Sequence, residues 1–445
     1  KKSITLAAMQ IDTPTIPQNQ PKVLNGWSMF DWANSSFALV ITVAVFPEYF
    51  NGVTDDTLSI LGVEVSNTSL FSYLISLSYL LIALVSPWLS GIADAGGKRL
   101  WFLKLFTTLG AINCVLLFFF RDMSTLWIGT SCFVLGMIGF AGGLVFYNSF
   151  LPLIATADRY DRISARGFAL GFLGSVILLV VNLMMILYPS WFGLPTEGTL
   201  SVRVVFITVG IWWIGFAQIP FRVLPKDNQN GGRIGQMAWQ GWLEIKKVWR
   251  EIQDYTQLKR FLLSSFFYSA GTNTILYLAS TFATDELNFE SQELIQVVII
   301  LQILAIIGAY TFAYLSKLAG NRNSILVMLF IWLAICVVGY IVTGKAQFYG
   351  VAAAVGLVMG GIQSLSRATY AKLIPRDEDV TSYYSFYDVV EKVSIVIGTA
   401  AFGLLDNLTG SMRMSLLLLA FFFVVGIIVL LRFRLPTKPL DVVAE

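Results

Sequence analysis

Five ionisable residues lie inside long apolar runs of this 445-residue chain: Asp31, Arg367, Asp388, Glu391 and Lys392. A charge in such a setting is costly, and it persists where it gates a path, pairs, or carries a proton or solute. Asp388 and Lys392 are four residues apart, which places them on one helical face, and a local salt bridge is the simplest reading. The alternative is coupling, with Asp388 or Glu391 binding a proton in one state and releasing it in another. The chain has no histidine. Carboxylates are therefore the only plausible proton carriers, and imidazole is excluded as a metal ligand or catalytic base. Cys114, Cys132 and Cys336 sit in apolar stretches, where cysteine behaves as a small hydrophobe. No disulfide framework, metal site or cofactor is expected. Nor is an enzyme expected, because there is no Ser–Lys arrangement, no carboxylate pair at a recognisable helical spacing and no phosphate-cradling glycine loop.

A second group sits in a loop: Ser90, Asp94, Gly97, Lys98 and Arg99, with Pro87 upstream. A tight glycine turn lets two helix ends approach one another. Its aspartate can then sit at the N-terminus of another helix, where the macrodipole favours negative charge.

The elements that must position these groups are membrane spans. The chain is 56% hydrophobic and 13% charged, with a mean hydropathy of +0.72. A soluble domain carries about 25% charged residues, so lipid must replace water around much of the surface. Apolar runs predict twelve helices at 26–50, 69–93, 100–120, 126–150, 167–189, 202–223, 259–283, 293–316, 324–343, 347–373, 384–405 and 411–431. The expected fold class is an all-α membrane protein. Its divisions are an N-terminal tail (1–25), a six-helix bundle (26–223), a linker (224–258), a second six-helix bundle (259–432) and a short tail (433–445).

Basic residues set the orientation. Lys98, Arg99, Arg159, Arg162, Lys246, Lys247 and Arg376 gather on the side of both termini, which is read as cytoplasmic. The opposite face has Arg121, Arg203, Lys345 and Arg413 among acids such as Asp55, Asp56, Asp285, Glu286 and Glu290. Residues 1–22 lack the apolar run and cleavage site of a signal peptide. In the linker, Trp242, Ile245, Trp249 and Ile252 recur at helical spacing with Lys246, Lys247 and Arg250 between them. That predicts an amphipathic helix on the cytoplasmic membrane face, acting as a tether or in regulation.

The two bundles echo each other. Asp94 in Ser90–Arg99 and Lys317 in Ala313–Arg322 are 223 residues apart, as are Pro152 in Tyr147–Pro152 and Pro375 in Tyr370–Pro375. Parallel six-helix halves are the arrangement of major facilitator transporters, and the Ser90–Arg99 loop resembles that superfamily's signature. Three stretches resemble something narrower: Trp27–Phe37, Phe146–Pro152 followed by Arg162–Gly174, and Gly360–Arg367 with Tyr370 and Pro375 followed by Tyr387–Ser394. Together they are similar to the autophagy-linked vacuolar amino-acid effluxers and their bacterial relatives.

The resemblance implies a major facilitator transporter that moves a small polar solute, with an amino acid as the class exported by eukaryotic members. Sugars, nucleosides, drug-like compounds, or a receptor-like role are the alternatives. It also implies that the first, fourth, seventh and tenth spans line a central cavity, so that Asp31 and Arg367 face each other. Three readings are open for them: a cytoplasmic gate, direct contact with the solute, or satisfaction of each charge within its own half. Asn34, Tyr147, Asn148, Gln363, Tyr268 and Asn273 are the polar groups available to a solute or the gate. The family often carries an acidic residue after the tyrosine of the seventh span. Here Tyr268-Ser269 is followed by Ala270-Gly271, so that role does not carry over. The expected partners are a small-molecule substrate, the lipid bilayer and, for coupling, protons. No nucleic acid is expected, and the chain is expected to be a monomer in a bacterial inner membrane.

Overall fold

A computed structural model describes residues 17–60, 63–227, 234–375, 379–409 and 411–435. Arg376 and most of both predicted tails lie outside the described residues. The long helices are α1 (Pro21–Val53), α2 (Asn67–Gly96), α3 (Arg99–Leu116), α4 (Leu126–Ser149), α5 (Tyr160–Leu187), α6 (Leu200–Val223), α7 (Ile234–Asp254), α8 (Thr256–Leu287), α9 (Ser291–Ile341), α10 (Lys345–Leu373), α11 (Val380–Thr409) and α12 (Met412–Leu431). A short antiparallel hairpin, β1 (Thr57–Ile60) and β2 (Val63–Ser66), joins α1 to α2.

Among the described residues nine helical segments are long and apolar enough to cross a membrane. One boundary between the expected spans is tighter than the apolar runs imply. The segments predicted at 293–316 and 324–343 run into one another as α9, interrupted at Gly320, whose φ of 80° and ψ of 158° are non-helical. Gly97, 223 residues earlier, ends α2 with a φ of 60°. Both positions need a left-handed backbone, which glycine adopts without steric cost. At α2 this closes the helix, with Gly97 N donating to Asp94 O and Lys98 N to Ala93 O. The other unexpected backbone feature is a π-helical stretch, Phe37–Val45, within α1.

Tight packing positions these elements. α1 lies along α5 and α6, and α3 along α4 and α6. α9 packs on α10 and α12, and α8 on α11 and α12. Between the first six helices and the last five, α5 meets α9 and α10, while α11 meets α2 and α4. Glycines allow the closest approaches. A Cβ at Gly171 would stand 2.5 Å from Ser35 Oγ, and one at Gly174 2.7 Å from the Trp32 ring. This is the small-residue packing that substitutes for hydrophobic drive between helices in lipid.

The linker helix α7 forms as expected, but its apolar stripe is divided. Gly241, Val248 and Ile252 are buried, whereas Trp242 and Trp249 are about half exposed, at 44% and 54%. The reason is a backbone crossing. Gly241 sits directly on Gly91 and Ile92 of α2, and a side chain at either glycine would collide with the other helix.

Candidate functional site: a buried ion pair at the base of a central cavity

Asp31 and Arg367 meet. Arg367 Nη2 lies 3.0 Å from Asp31 Oδ2 and Nη1 lies 3.3 Å from Oδ1, a two-pronged contact between α1 and α10. Each side chain is about 95% buried. A buried pair of this kind is tolerable only when the remaining donors and acceptors are also satisfied, and they are. Arg367 Nε donates to Ser164 Oγ at 2.9 Å, Nη2 also to Ser164 O at 2.9 Å, and Nη1 to Asn148 Oδ1 at 3.4 Å. These account for all five guanidinium N–H donors. Tyr147 donates its hydroxyl to Asp31 Oδ2 at 2.8 Å. The Phe168 ring lies 4.1 Å from the guanidinium carbon and the Trp27 ring 4.8 Å, within the range of cation–π attraction. Trp27 stacks on Tyr147 and donates its indole N–H to the Tyr147 carbonyl.

The partners of Arg367 come from α1, α4 and α5, so its charge is not satisfied by its own set of helices. Ser164, Phe168 and Trp27 did not stand out in the sequence as partners. Neither did Gly167. A Cβ there would collide with Asp31 Oδ2 and stand 2.8 Å from Arg367 Nη2. The signal was present in the spacing of Gly167, Gly171 and Gly174, which puts three small residues on the face of α5 that α1 packs against.

The same end of the bundle is tied by further contacts between the two sets of helices. Asp94 accepts from Ser382 N at 2.7 Å, Ser382 Oγ at 2.9 Å and Thr381 N at 3.3 Å. Its carboxylate therefore caps the N-terminus of α11, where unpaired N–H groups and the macrodipole favour an anion. Arg99 closes the motif, 2.8 Å from Asp94 Oδ1 and 2.7 Å from Thr381 Oγ1. Gly97 turns the chain and Lys98 precedes the first residue of α3. A second tie was not anticipated. Asp161 on α5 receives Lys372 Nζ at 2.8 Å, Asn321 Nδ2 at 2.8 Å and Ser316 Oγ at 2.9 Å.

The linker helix adds a third layer. Lys247 Nζ contacts Asp379 at 2.5 Å, and Tyr383 donates its hydroxyl to Glu251 at 2.5 Å. Burial and the neighbouring Asp379 carboxyl push the Glu244 carboxyl up to about 7, against the pull of Lys247. A hydrogen bond to Asp379 holds the Lys247 ammonium above its ordinary range.

Above the ion pair opens a cavity of about 330 Å³. Asp31, Asn34, Asn148, Gln363 and Arg367 line it, as do Tyr268, Asn273, Glu391 and Lys392. Tyr147 stands behind the pair instead of on the wall. Lys392 Nζ lies 2.8 Å from Asp388 Oδ1, the pairing expected from their spacing. Farther along, Tyr79 on α2 and Tyr277 on α8 share a hydroxyl–hydroxyl bond of 2.8 Å across the cavity. Among the described residues there is no cluster of three or more cysteine or acidic side chains that could hold a metal ion.

Known proteins resemble this chain along most of its length. A family model described as "Vacuole effluxer Atg22 like" matches residues 19–438. An uncharacterized MFS-type transporter, YxiO of Bacillus subtilis, is 28% identical over 91% of this chain and 93% of its own. Autophagy-related protein 22-2 of Neosartorya fischeri is 25% identical over 84% of this chain and 74% of its own. Among solved structures, the major facilitator transporter FucP in an outward conformation superposes with a TM-score of 0.69 at 14% identity, over 93% of this chain and 98% of FucP. The human organic anion transporter MFSD10 also reaches 0.69, at 12% identity, over 92% of this chain and all of its own. The fold is that of the major facilitator superfamily.

Proposed function

This chain belongs to the Atg22-like vacuole effluxer family, and from that premise we propose that it is a multi-pass transporter, not an enzyme, that moves a small polar solute by alternating access. The proposed unit is twelve spans in two six-helix halves, counting α9 as two spans bent at Gly320 and α7 as the linker. Both termini are assigned to the cytoplasm by the positive-inside pattern, in a bacterial inner membrane. A monomer suffices, because one chain supplies both sides of the cavity. An amino acid is the solute class that the family resemblance favours.

The observation that carries this reading is the Asp31–Arg367 pair. It joins the two halves at the floor of the cavity, beside the Asp94 and Asp161 ties that close the same end. We assign the pair to a cytoplasmic gate, closed here, with Asn148 and Tyr147 as its supports. Direct binding of a solute carboxylate by Arg367 is disfavoured, because its N–H donors are already used within the protein. Asn34 and Gln363 are then cavity-wall groups available to the solute. Asp94, Gly97, Lys98 and Arg99 form the switch that must release α11 when the halves rock. Asp388, Glu391 and Lys392 are the candidates for proton coupling.

The test is flux in proteoliposomes. Purified protein should carry labelled amino acids across the bilayer, and Asp31→Asn or Arg367→Gln should each abolish most of that flux. Intact solute binding with no flux in the unmodified protein would identify a receptor-like role instead. Acidifying one side and finding the same flux would remove protons from the scheme.

A further inference from the structure

Charge accounting inside the cavity is uneven. Asp31 is matched by Arg367 at 3.0 Å and Lys392 by Asp388 at 2.8 Å. Glu391 also lines the cavity, and among the described residues its carboxylate has neither a hydrogen bond nor an ion pair within the protein. Its nearest ionisable surroundings are Asp388 and Lys392 on its own helix, Tyr387 beside them, Tyr79 on α2, and Tyr268 and Tyr277 on α8. None of these is hydrogen-bonded or ion-paired to it among the described residues. The Lys392 ammonium is turned to Asp388 and lies 5.3 Å from the Tyr79 ring.

A second, independent observation points the same way. Asn34 is 1% exposed and lines the same cavity, yet among the described residues its Oδ1 has no partner, nor has the buried Oε1 of Gln302 on the same wall. A buried acceptor left without a donor costs about 1–3 kcal/mol, and buried polar groups are normally paired. Among the described residues, the buried polar atoms of this wall without a partner are thus two amide oxygens and one N–H, Trp332 Nε1, and the one charge on the wall without a counter-ion is the Glu391 carboxylate. The cations that could receive an anion, Arg367 and Lys392, are both engaged. The rest of the wall includes Phe140, Phe168, Phe172 and Trp332, which suits an apolar body and attracts positive charge to the ring faces.

The geometry points to a solute that carries a protonated primary amine, with Glu391 as its counter-charge and Asn34 and Gln302 as acceptors for its remaining N–H groups. This inference deepens the transport reading and rests on it. An amino acid would be recognised through its ammonium group and not through its carboxylate.

Three sets of probes separate the possibilities, measured as thermal shifts on the purified full-length protein, since a native-state ligand raises stability with concentration. The first set is primary amines: phenethylamine, isoamylamine and the amino acids phenylalanine and leucine. The second is their N-acetylated, anionic counterparts, N-acetylphenylalanine and N-acetylleucine. The third is neutral polyols. Shifts should be confined to the first set, and Glu391→Gln should raise the apparent Kd of a binding amine at least tenfold. Glu391→Asp, which keeps the charge, should restore part of the affinity and shows that the loss is not one of folding. Binding should also weaken as pH falls, because protons compete for the same carboxylate.

Shifts by the N-acetylated or polyol set that survive Glu391→Gln would overturn the assignment, as would the absence of any amine response. The gate reading fails separately, through absent flux of a solute that binds.

Discussion

Asp31 and Arg367 are 336 residues apart in the chain and 3.0 Å apart in space. Gly167 lies directly beneath their contact, at a distance that leaves no room for a methyl group. The pair is thus framed on three sides, by the α5 backbone below, by Tyr147 and Asn148 on α4, and by the Trp27 and Phe168 rings. In such a frame the two charges hold the cavity floor shut through each other. Removing either leaves the other buried without compensation, a change worth about 3–5 kcal/mol.

For the pair itself, Asp31→Asn or Arg367→Gln should shift the closed state toward the open one by roughly 10²–10³-fold. Transport should fall in both variants. The exchanged double variant, Asp31→Arg with Arg367→Asp, should recover part of the flux. A folded double variant as inactive as the single ones would show that the residues do not act as a pair.

Gly167→Ala probes the same contact without touching a charge. The added methyl should force the ion pair apart and slow transport at least tenfold. Accessibility of a cysteine placed at Ser364, whose backbone carbonyl receives the Ser164 hydroxyl, should rise toward membrane-impermeant reagents added from the cytoplasmic side. Unchanged labelling together with unchanged flux would mean that the site has more slack than its distances imply.

Asp94→Ala removes an anion from the N-terminus of α11 and leaves Ser382 N and Thr381 N without their acceptor. A lost cap costs about 1 kcal/mol, so the protein should still fold while its closed state becomes less populated. Asp94→Asn keeps an acceptor and should fall between the two. Spin-label distances between α2 and α11 at their Asp94 ends report the shift, and equal distributions in all three proteins would count against a switching role.

The linker should respond to pH. Glu244 is held near 7, against 4.5 for an ordinary glutamate, so the docked helix binds this proton more tightly than the undocked one does. Docking stability from this source is fully present below about 4.5 and is lost as pH rises through 7. Hydrogen exchange over 234–254, corrected for its intrinsic pH dependence, should therefore accelerate between those limits. Glu244→Gln should flatten the profile. Lys247→Ala should accelerate exchange at every pH by removing the contact with Asp379.

Much of the architecture was legible in the sequence because lipid imposes a one-dimensional rule. Each span must be apolar for about 20 residues whatever its neighbours are, so runs such as 126–150 and 411–431 coincide closely with α4 and α12. The break at 317–323 was legible as a loop yet appears as a single non-helical residue, Gly320, because hydrogen bonding resumes at once on both sides. The π-helical turn at Phe37–Val45 contains no proline or glycine, and its only local mark is Pro47 just beyond it, whose missing N–H interrupts the helical ladder. In the linker, spacing identified a helix but not its docked face, which depends on a glycine-to-glycine crossing with α2.

The same division runs through the site. The sequence by itself determined that Asp31, Arg367, Asp388, Glu391 and Lys392 fall within membrane spans, and four of the five, all but the cavity-facing Glu391, are buried. It also determined that Asp388 and Lys392 could pair, because four residues on one helix fix their separation. Tertiary structure alone decided that Arg367 spends its donors on Asp31, Ser164 and Asn148, that Asp161 receives Lys372, and that Glu391 is left facing the cavity unpaired. Those outcomes depend on distances between helices far apart in the chain. Such distances are set by side-chain volume and glycine contacts across the interface, and no local pattern of residues encodes them.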